Sequence, residues 1–186
     1  MKYLVTGGAG FIGSTLIKQL LKKHNNIVIN IDKLGYASNL DSLKSVESNP
    51  KYYFEKTDIC NERNLSKIFK KHEPDRIIHL AAESHVDRSI DAPAVFIQNN
   101  IIGTYVLLNQ SYKYFQEIKN SKRKKFLFHH VSTDEVYGSL TLDDTPFDEN
   151  NRYEPSSPYS ASKASSDHLV RSWNQTFKLP TIITNC

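Results

Sequence analysis

A glycine-rich turn wedged between a strand and a helix constrains this chain more than any other feature. Lys2 to Thr6 is a β-type run, Gly7-Gly8-Ala9-Gly10-Phe11-Ile12-Gly13 follows, and an amphipathic stretch with Ile12, Leu16, Leu20 and Leu21 apolar runs on towards Asn25-Asn26, where the helix is expected to end. The glycines fit two spacings, Gly7-x-x-Gly10-x-x-Gly13 and Gly8-x-Gly10-x-x-Gly13, and both do the same physical work. Missing side chains permit a tight turn and let backbone approach a pyrophosphate, whose charge is favoured at a helix N-terminus. Gly7, Gly10, Phe11, Ile12 and Gly13 are therefore candidate dinucleotide contacts.

The rest of the chain extends this unit. Ile27 to Ile31 reads as a second strand ending at Asp32, about twenty residues beyond the turn, where a carboxylate accepts from adenosine ribose hydroxyls and repels a 2′-phosphate. NAD is expected over NADP. Lys33 is an adjacent cation that could offset this repulsion, against the alternative of a surface role. Tyr52 to Lys56 reads as a third strand, with Asp58-Ile59 placed to reach an adenine edge. Leu65 to Lys71 is helical and ends before Pro74, and Arg76 to Leu80 is a fourth strand followed by Ala81-Ala82-Glu83-Ser84-His85, where small residues leave a cofactor room. Asp91 to Tyr114 reads mainly as one long helix with Ile97, Ile101, Val106 and Leu107 apolar, and Thr181 to Cys186 as a sixth strand. Strands alternating with helices predict an α/β fold, a doubly wound Rossmann-type parallel sheet with helices on both faces, forming one domain over residues 1–186.

A second group of residues adds chemistry to that frame. Phe126 to Val131 reads as a buried strand, so Ser132-Thr133-Asp134-Glu135 emerges at the carboxyl edge, where such sheets bind ligands. In a helix over Ser157 to Phe177, Tyr159 and Lys163 stand four apart and share a face. A lysine ammonium there can lower the tyrosine's pKa and make the phenol a base. Phe147 to Pro158 is an internal loop placed to close over a ligand, and Trp173 is expected in the core or an interface.

Composition excludes other classes. The net charge of +4 is mild and Lys122-Arg123-Lys124-Lys125 reads as a solvated turn, so no nucleic-acid partner is expected. No apolar run approaches membrane-spanning length, and strand-like residues beginning at Tyr3 leave no room for a signal peptide. Two cysteines, Cys60 and Cys186, form no framework and point to a reducing cytoplasm. None of the seven histidines fits a ligand spacing, and adjacent His129 and His130 point to opposite faces of a strand, so no metal is expected.

Thr6 to Ser14, Asp32 to Leu40, His79 to Ile90, Ser132 to Gly138 and Pro155 to Leu169 together resemble the extended short-chain dehydrogenase/reductases that act on nucleotide sugars. Within them the Thr133-Asp134-Glu135 triplet is similar to that of the 4,6-dehydratases, whereas the 4-epimerases carry non-acidic residues there. The resemblance implies NAD as cofactor, with Ala81, Ala82 and Asn100 joining the contacts already named, and a nucleotide-sugar substrate met by Ser84, His85, Thr133, Asp134 and Glu135. It further implies that Tyr159, aided by Lys163, takes the O4 proton while C4 is oxidised, that Thr133 binds the same oxygen, that Glu135 removes the C5 proton and that Asp134 protonates the departing C6 hydroxyl. The two long helices resemble the pair that forms a homodimer in this family. Such enzymes are about twice as long, so a carboxyl-terminal substrate lobe is expected beyond the chain. A 4-epimerase, another dehydratase or a non-catalytic NAD-binding module are the alternatives.

Overall fold

Leu4, Ile29 and Ile31 point to one side of the sheet and Val5 and Val28 to the other, yet all have no exposed surface. Strands buried on both faces must be covered by helices on both. The computed structural model describes residues 1–186. Strands β1 (Lys2–Thr6), β2 (Ile27–Asp32), β3 (Tyr52–Lys56), β4 (Arg76–His79), β5 (Leu127–Ser132) and β6 (Thr181–Asn185) pair in parallel in the order β3-β2-β1-β4-β5-β6. This is the expected doubly wound sheet.

Helix α1 (Phe11–Leu21) covers one face with Ile17 and Leu21. Helices α2 (Glu62–His72), α3 (Gly103–Glu117) and α4 (Pro158–Phe177) supply Leu65, Phe69, Leu107 and Val170 to the larger core on the other. Each large side chain so buried contributes about 1.5 to 3 kcal/mol. His79 ties the layers together: its Nδ1 lies 2.7 Å from Thr6 Oγ1 and its Nε2 2.9 Å from Thr104 Oγ1. Burial, with His130 and Lys163 nearby, pushes its pKa well down, so one ring nitrogen donates and the other accepts.

Several boundaries differ from expectation. Helix α1 stops at Leu21, short of Asn25, and the Asn26 side chain donates to the Leu20 carbonyl at 3.0 Å to close the turn. Helix α2 starts at Glu62 because the Asn61 side chain caps it, accepting from the Asn64 amide at 3.0 Å. Two short helical turns, Leu40–Leu43 and Lys44–Glu47, fill a stretch with no helical expectation. The long helix expected over Asp91 to Tyr114 is present as a continuous run through Pro93–Phe96, a π-helical turn Ile97–Ile102 and α3, and a separate short helix, Val86–Asp91, precedes it across a break at Ala92. Pro93 has no amide hydrogen to continue the preceding helix and starts the next piece. Helix α4 begins as the sequence suggests. Ser157 accepts from the Ser160 amide and Ser160 Oγ accepts from the Ser157 amide, both at 3.0 Å.

Candidate active site

The order in which strands are added to the sheet reverses between β1 and β4, and a crevice of about 420 Å³ opens there above the carboxyl ends of the strands. The glycine turn forms one wall. Gly7 has φ 71, and a Cβ on it would stand 2.7 Å from the Ala81 amide nitrogen; one on Gly13 would collide with the Gly7 carbonyl oxygen. Gly8 instead packs under the Asn30 and Ile17 side chains, so the glycines of the turn that face the crevice are Gly7, Gly10 and Gly13. No side chain caps α1, leaving its first-turn amides at Phe11 and Ile12, both on the crevice, without an intrahelical acceptor. An anionic diphosphate fits that end.

Asp32 is buried beside it and already employed. Its Oδ2 accepts from the Ala9 amide at 2.9 Å, and its Oδ1 from the Leu34 amide and Ser38 Oγ, both at 2.8 Å. Two lone pairs on each oxygen leave Oδ2 one free site, enough for one ligand hydroxyl. Lys33 is exposed, as the surface alternative has it, and also stands on the crevice wall: its Nζ donates to Asn99 Oδ1 at 2.6 Å and lies 3.8 Å from Asp58 and 3.9 Å from Glu83. Asp58, Ile59, Ala81, Ala82 and Ser84 also line the crevice. Tyr36 joins them, with the Arg88 guanidinium 3.7 Å above its ring.

Asn100 does not reach the crevice. It is 1% exposed, accepts from the Glu83 amide at 2.8 Å, and donates to the Glu83 carbonyl and to Ser162 Oγ, both at 2.9 Å. Asn99 takes the place on the wall, because the wider π-helical turn brings two successive asparagines inward. Asn99, Tyr36, Ser38 and Glu83 are among the crevice residues that sequence reasoning missed. Ser38 was within reach, since an Asp-x-x-x-x-x-Ser spacing allows a loop to fold back on its carboxylate; the π-helical turn leaves no such mark.

Thr133, Tyr159 and Lys163 close the other end of the crevice. Asp134 and Glu135 lie just outside it in a short helical turn, Asp134–Tyr137, opened by Thr133, whose hydroxyl accepts from the Glu135 amide at 3.3 Å. Partial burial and the Asp134 charge push the Glu135 carboxyl up. His85, at the start of helix Val86–Asp91, is exposed and off the crevice.

The Tyr159–Lys163 pair is not set as expected. Burial pushes the phenol up to about 12, the Thr133 hydroxyl draws it back, and Glu135, Cys186 and Asp134 push it further up. Lys163 is not among these influences. Its Nζ donates 2.8 Å to the Val131 carbonyl, and burial holds its pKa down at about 8 against the pull of Asp167. The pair is assembled, with the ammonium parked on backbone.

Residues 4–186 match the family model described as GDP-mannose 4,6 dehydratase. The chain is 55% identical to dTDP-glucose 4,6-dehydratases of Shigella flexneri and Haemophilus influenzae, over all of this chain and 54% and 55% of theirs. Among solved structures, it resembles the dTDP-glucose 4,6-dehydratase of Streptomyces venezuelae with NAD and TYD bound (TM-score 0.90, 41% identity, all of this chain and 55% of that one). It also resembles the UDP-glucose 4-epimerase of Thermotoga maritima with UDP-glucose (TM-score 0.84, 32% identity, all of this chain and 55% of that one). The chain spans about half the length of the curated relatives it matches.

Proposed function

The chain belongs to the GDP-mannose 4,6-dehydratase family, and from that premise we propose that it is the NAD-binding part of a dTDP-glucose 4,6-dehydratase. The observation that carries this reading is the meeting of Thr133, Tyr159 and Lys163 on the same crevice as the glycine wall and Asp32, with two adjacent acids, Asp134 and Glu135, at its rim. NAD, when bound, supplies the group that takes a hydride from the sugar's C4 and returns one at C6. The diphosphate would rest on Gly10, Phe11, Ile12 and Gly13, a ribose hydroxyl would fill the free site on Asp32, and Asp58 and Lys33 would border the adenine end.

The protein's own side chains do the proton work. Tyr159 takes the O4 proton, with Thr133 hydrogen-bonded to the same oxygen. At about 12 the phenol is too basic to stand ionised at neutral pH, so the Lys163 ammonium must turn from Val131 towards it, trading a neutral acceptor for a developing anion. Oxidation at C4 acidifies C5, and Glu135, whose raised carboxyl is the stronger base of its kind, removes that proton. Asp134, as the acid, protonates the leaving C6 hydroxyl. This split asks Glu135 to be ionised when the substrate is bound, against the push that burial and the Asp134 charge give its carboxyl in the free protein, so the bound sugar must bring the proton to Asp134.

Ser84, on the crevice wall, and His85, exposed beside it, would meet the sugar, and the nucleotide would be gripped by a lobe carboxyl-terminal to residue 186. A homodimer is proposed through α3 and α4, where Tyr105 and Phe177 leave about two fifths of their surface exposed, 43% and 41%. No helix is long and apolar enough to cross a membrane, and a cytoplasmic location is proposed. The test is to incubate the full-length protein with dTDP-glucose and NAD. Loss of one water with a C4 ketone is the expected product; inversion at C4 without loss of water would make it an epimerase instead.

A further inference from the structure

Asp167 lies one helical turn beyond Lys163 on α4 and has no exposed surface. Its Oδ2 accepts from Ser132 Oγ at 2.9 Å and from the Tyr153 phenol at 3.0 Å. Its Oδ1 stands 3.2 Å from His130 Nε2, off the line that a hydrogen bond needs, so the contact is electrostatic only. Ser132 directly follows Val131, whose carbonyl receives Lys163. Helix α4 is thus fastened to the end of β5 at two successive residues, once through an amine and once through a carboxylate. Tyr153 extends the connection to the loop before α4, and Arg171 lies over its ring at 5.0 Å.

The charges around this chamber leave Asp167 one cation to answer. Burial and the Lys163 charge hold His130 down at about 4 although Asp167 pulls the other way, and His79 beside it is neutral as well. Arg171 donates at 3.3 Å to the Tyr153 hydroxyl, not to the carboxylate. Tyr159, pushed up to about 12, is uncharged at neutral pH. Building on the dehydratase reading, we propose that Asp167 is a positioning residue, which fastens the Tyr159–Lys163 helix to β5 and supplies the counter-charge that keeps Lys163 an ammonium under cover. Its remaining neighbours act as donors that keep Asp167 itself ionised without neutralising it.

The full-length protein carries the test, with Asp167→Asn compared to the native residue. Lys163 labelling by acetic anhydride, read by mass spectrometry across a pH series, is expected to reach its midpoint about one pH unit lower in the variant, because the ammonium has lost the carboxylate charge that pulls its pKa up. The rising limb of kcat/KM for the dehydratase reaction is expected to move the other way, to higher pH, since a weaker cation stabilises the phenolate less. Asp167→Glu should restore both. Loss of kcat with neither midpoint moved would make Asp167 a packing residue and overturn the proposal. The labelling needs no turnover, so it decides Asp167 even if dTDP-glucose is not a substrate. Should Asp167→Asn fail to fold, Lys163→Met is added to it. Recovery of folding beyond the stabilisation that Lys163→Met brings on its own supports an orphaned ammonium as the cause, and a double variant whose stability is only the sum of the two single effects overturns it.

Discussion

Lys163 Nζ and the Val131 carbonyl oxygen are 2.8 Å apart, a bond from the middle of α4 to the next-to-last residue of β5. It is the only hydrogen bond the buried amine makes, and its pKa of about 8 lies well below 10.5 for a lysine in water. The unfolded chain therefore binds more protons than the folded one between these values. Folding is penalised below pH 8, and the penalty fades as pH rises through that window.

Replacing this lysine should accordingly raise stability at neutral pH. The shift corresponds to about 3 kcal/mol, less about 1 kcal/mol for the lost hydrogen bond, so Lys163→Met is expected to stabilise by on the order of 2 kcal/mol near pH 7. That advantage should vanish at pH values above the lysine's ordinary range. Urea unfolding of both proteins at several pH values checks it, and a difference independent of pH would mean that the amine is not the source. Catalysis should be lost in the same variant.

Asp32 carries a double load, holding the glycine turn through Ala9 and the following loop through Leu34 and Ser38. Asp32→Ala orphans two backbone amides and is expected to cost about 2 to 4 kcal/mol. In the native protein, calorimetry should find NAD+ bound at least about tenfold more tightly than NADP+, because a 2′-phosphate would meet a carboxylate with one lone pair to offer and no proton. Equal affinities would show that Lys33, despite its contacts with Asn99, Asp58 and Glu83, offsets the repulsion.

This part of the site was legible in the sequence because it rests on local rules. Gly7, Gly13 and Asp32 are dictated by backbone space and by a carboxylate at a strand's end, and hydrophobic runs locate all six strands. What escaped depends on tertiary contacts. The choice between Gly7 and Gly8 depends on Asn30 and Ile17 packing above the turn. The exchange of Asn100 for Asn99 depends on a π-helical turn that no residue pattern announces. The state of Tyr159 and Lys163 follows from burial, and four-residue spacing says nothing of which acceptor an ammonium will choose.

Gly13 tests the close approach directly. A methyl group there would run into the Gly7 carbonyl, so Gly13→Ala is expected to cost about 1 to 3 kcal/mol and to weaken NAD binding by pushing α1 away from the turn. Thermal unfolding and calorimetry measure both. A variant with native stability would mean that the turn yields at little cost.

In the full-length protein, Tyr159→Phe and Glu135→Gln should stop the reaction at different stages. Without the phenol nothing accepts the O4 proton, and no NADH absorbance should appear on adding dTDP-glucose. Glu135→Gln leaves that step intact and removes the base for C5, so NADH and a C4 ketone should accumulate with dehydration slowed at least about a hundredfold. If both variants fail before hydride transfer, Glu135 serves the first step.

Residues 1–186 on their own are expected to bind NAD without turning over a nucleotide sugar. The glycine wall, Asp32, Asp58, Tyr159 and Lys163 all lie within these residues and form one crevice, so the dinucleotide has its contacts. The sugar nucleotide is proposed to need more. Holding C4 in reach of the cofactor contributes roughly 7 kcal/mol or more to barrier reduction, and the grip on the base of the nucleotide is proposed to come from beyond residue 186. Asp134 is exposed and Glu135 is only partly covered, so water would screen both acids and weaken them as a proton-transfer pair. Strand β6 pairs only with β5, and its free edge favours association of the isolated piece. Expressing residues 1–186 beside the full-length protein, with calorimetry for NAD and product analysis for dehydration, separates the two demands. Turnover by the short chain would mean that the substrate is held within the crevice described here; failure to bind NAD would mean that the carboxyl-terminal lobe props the crevice open.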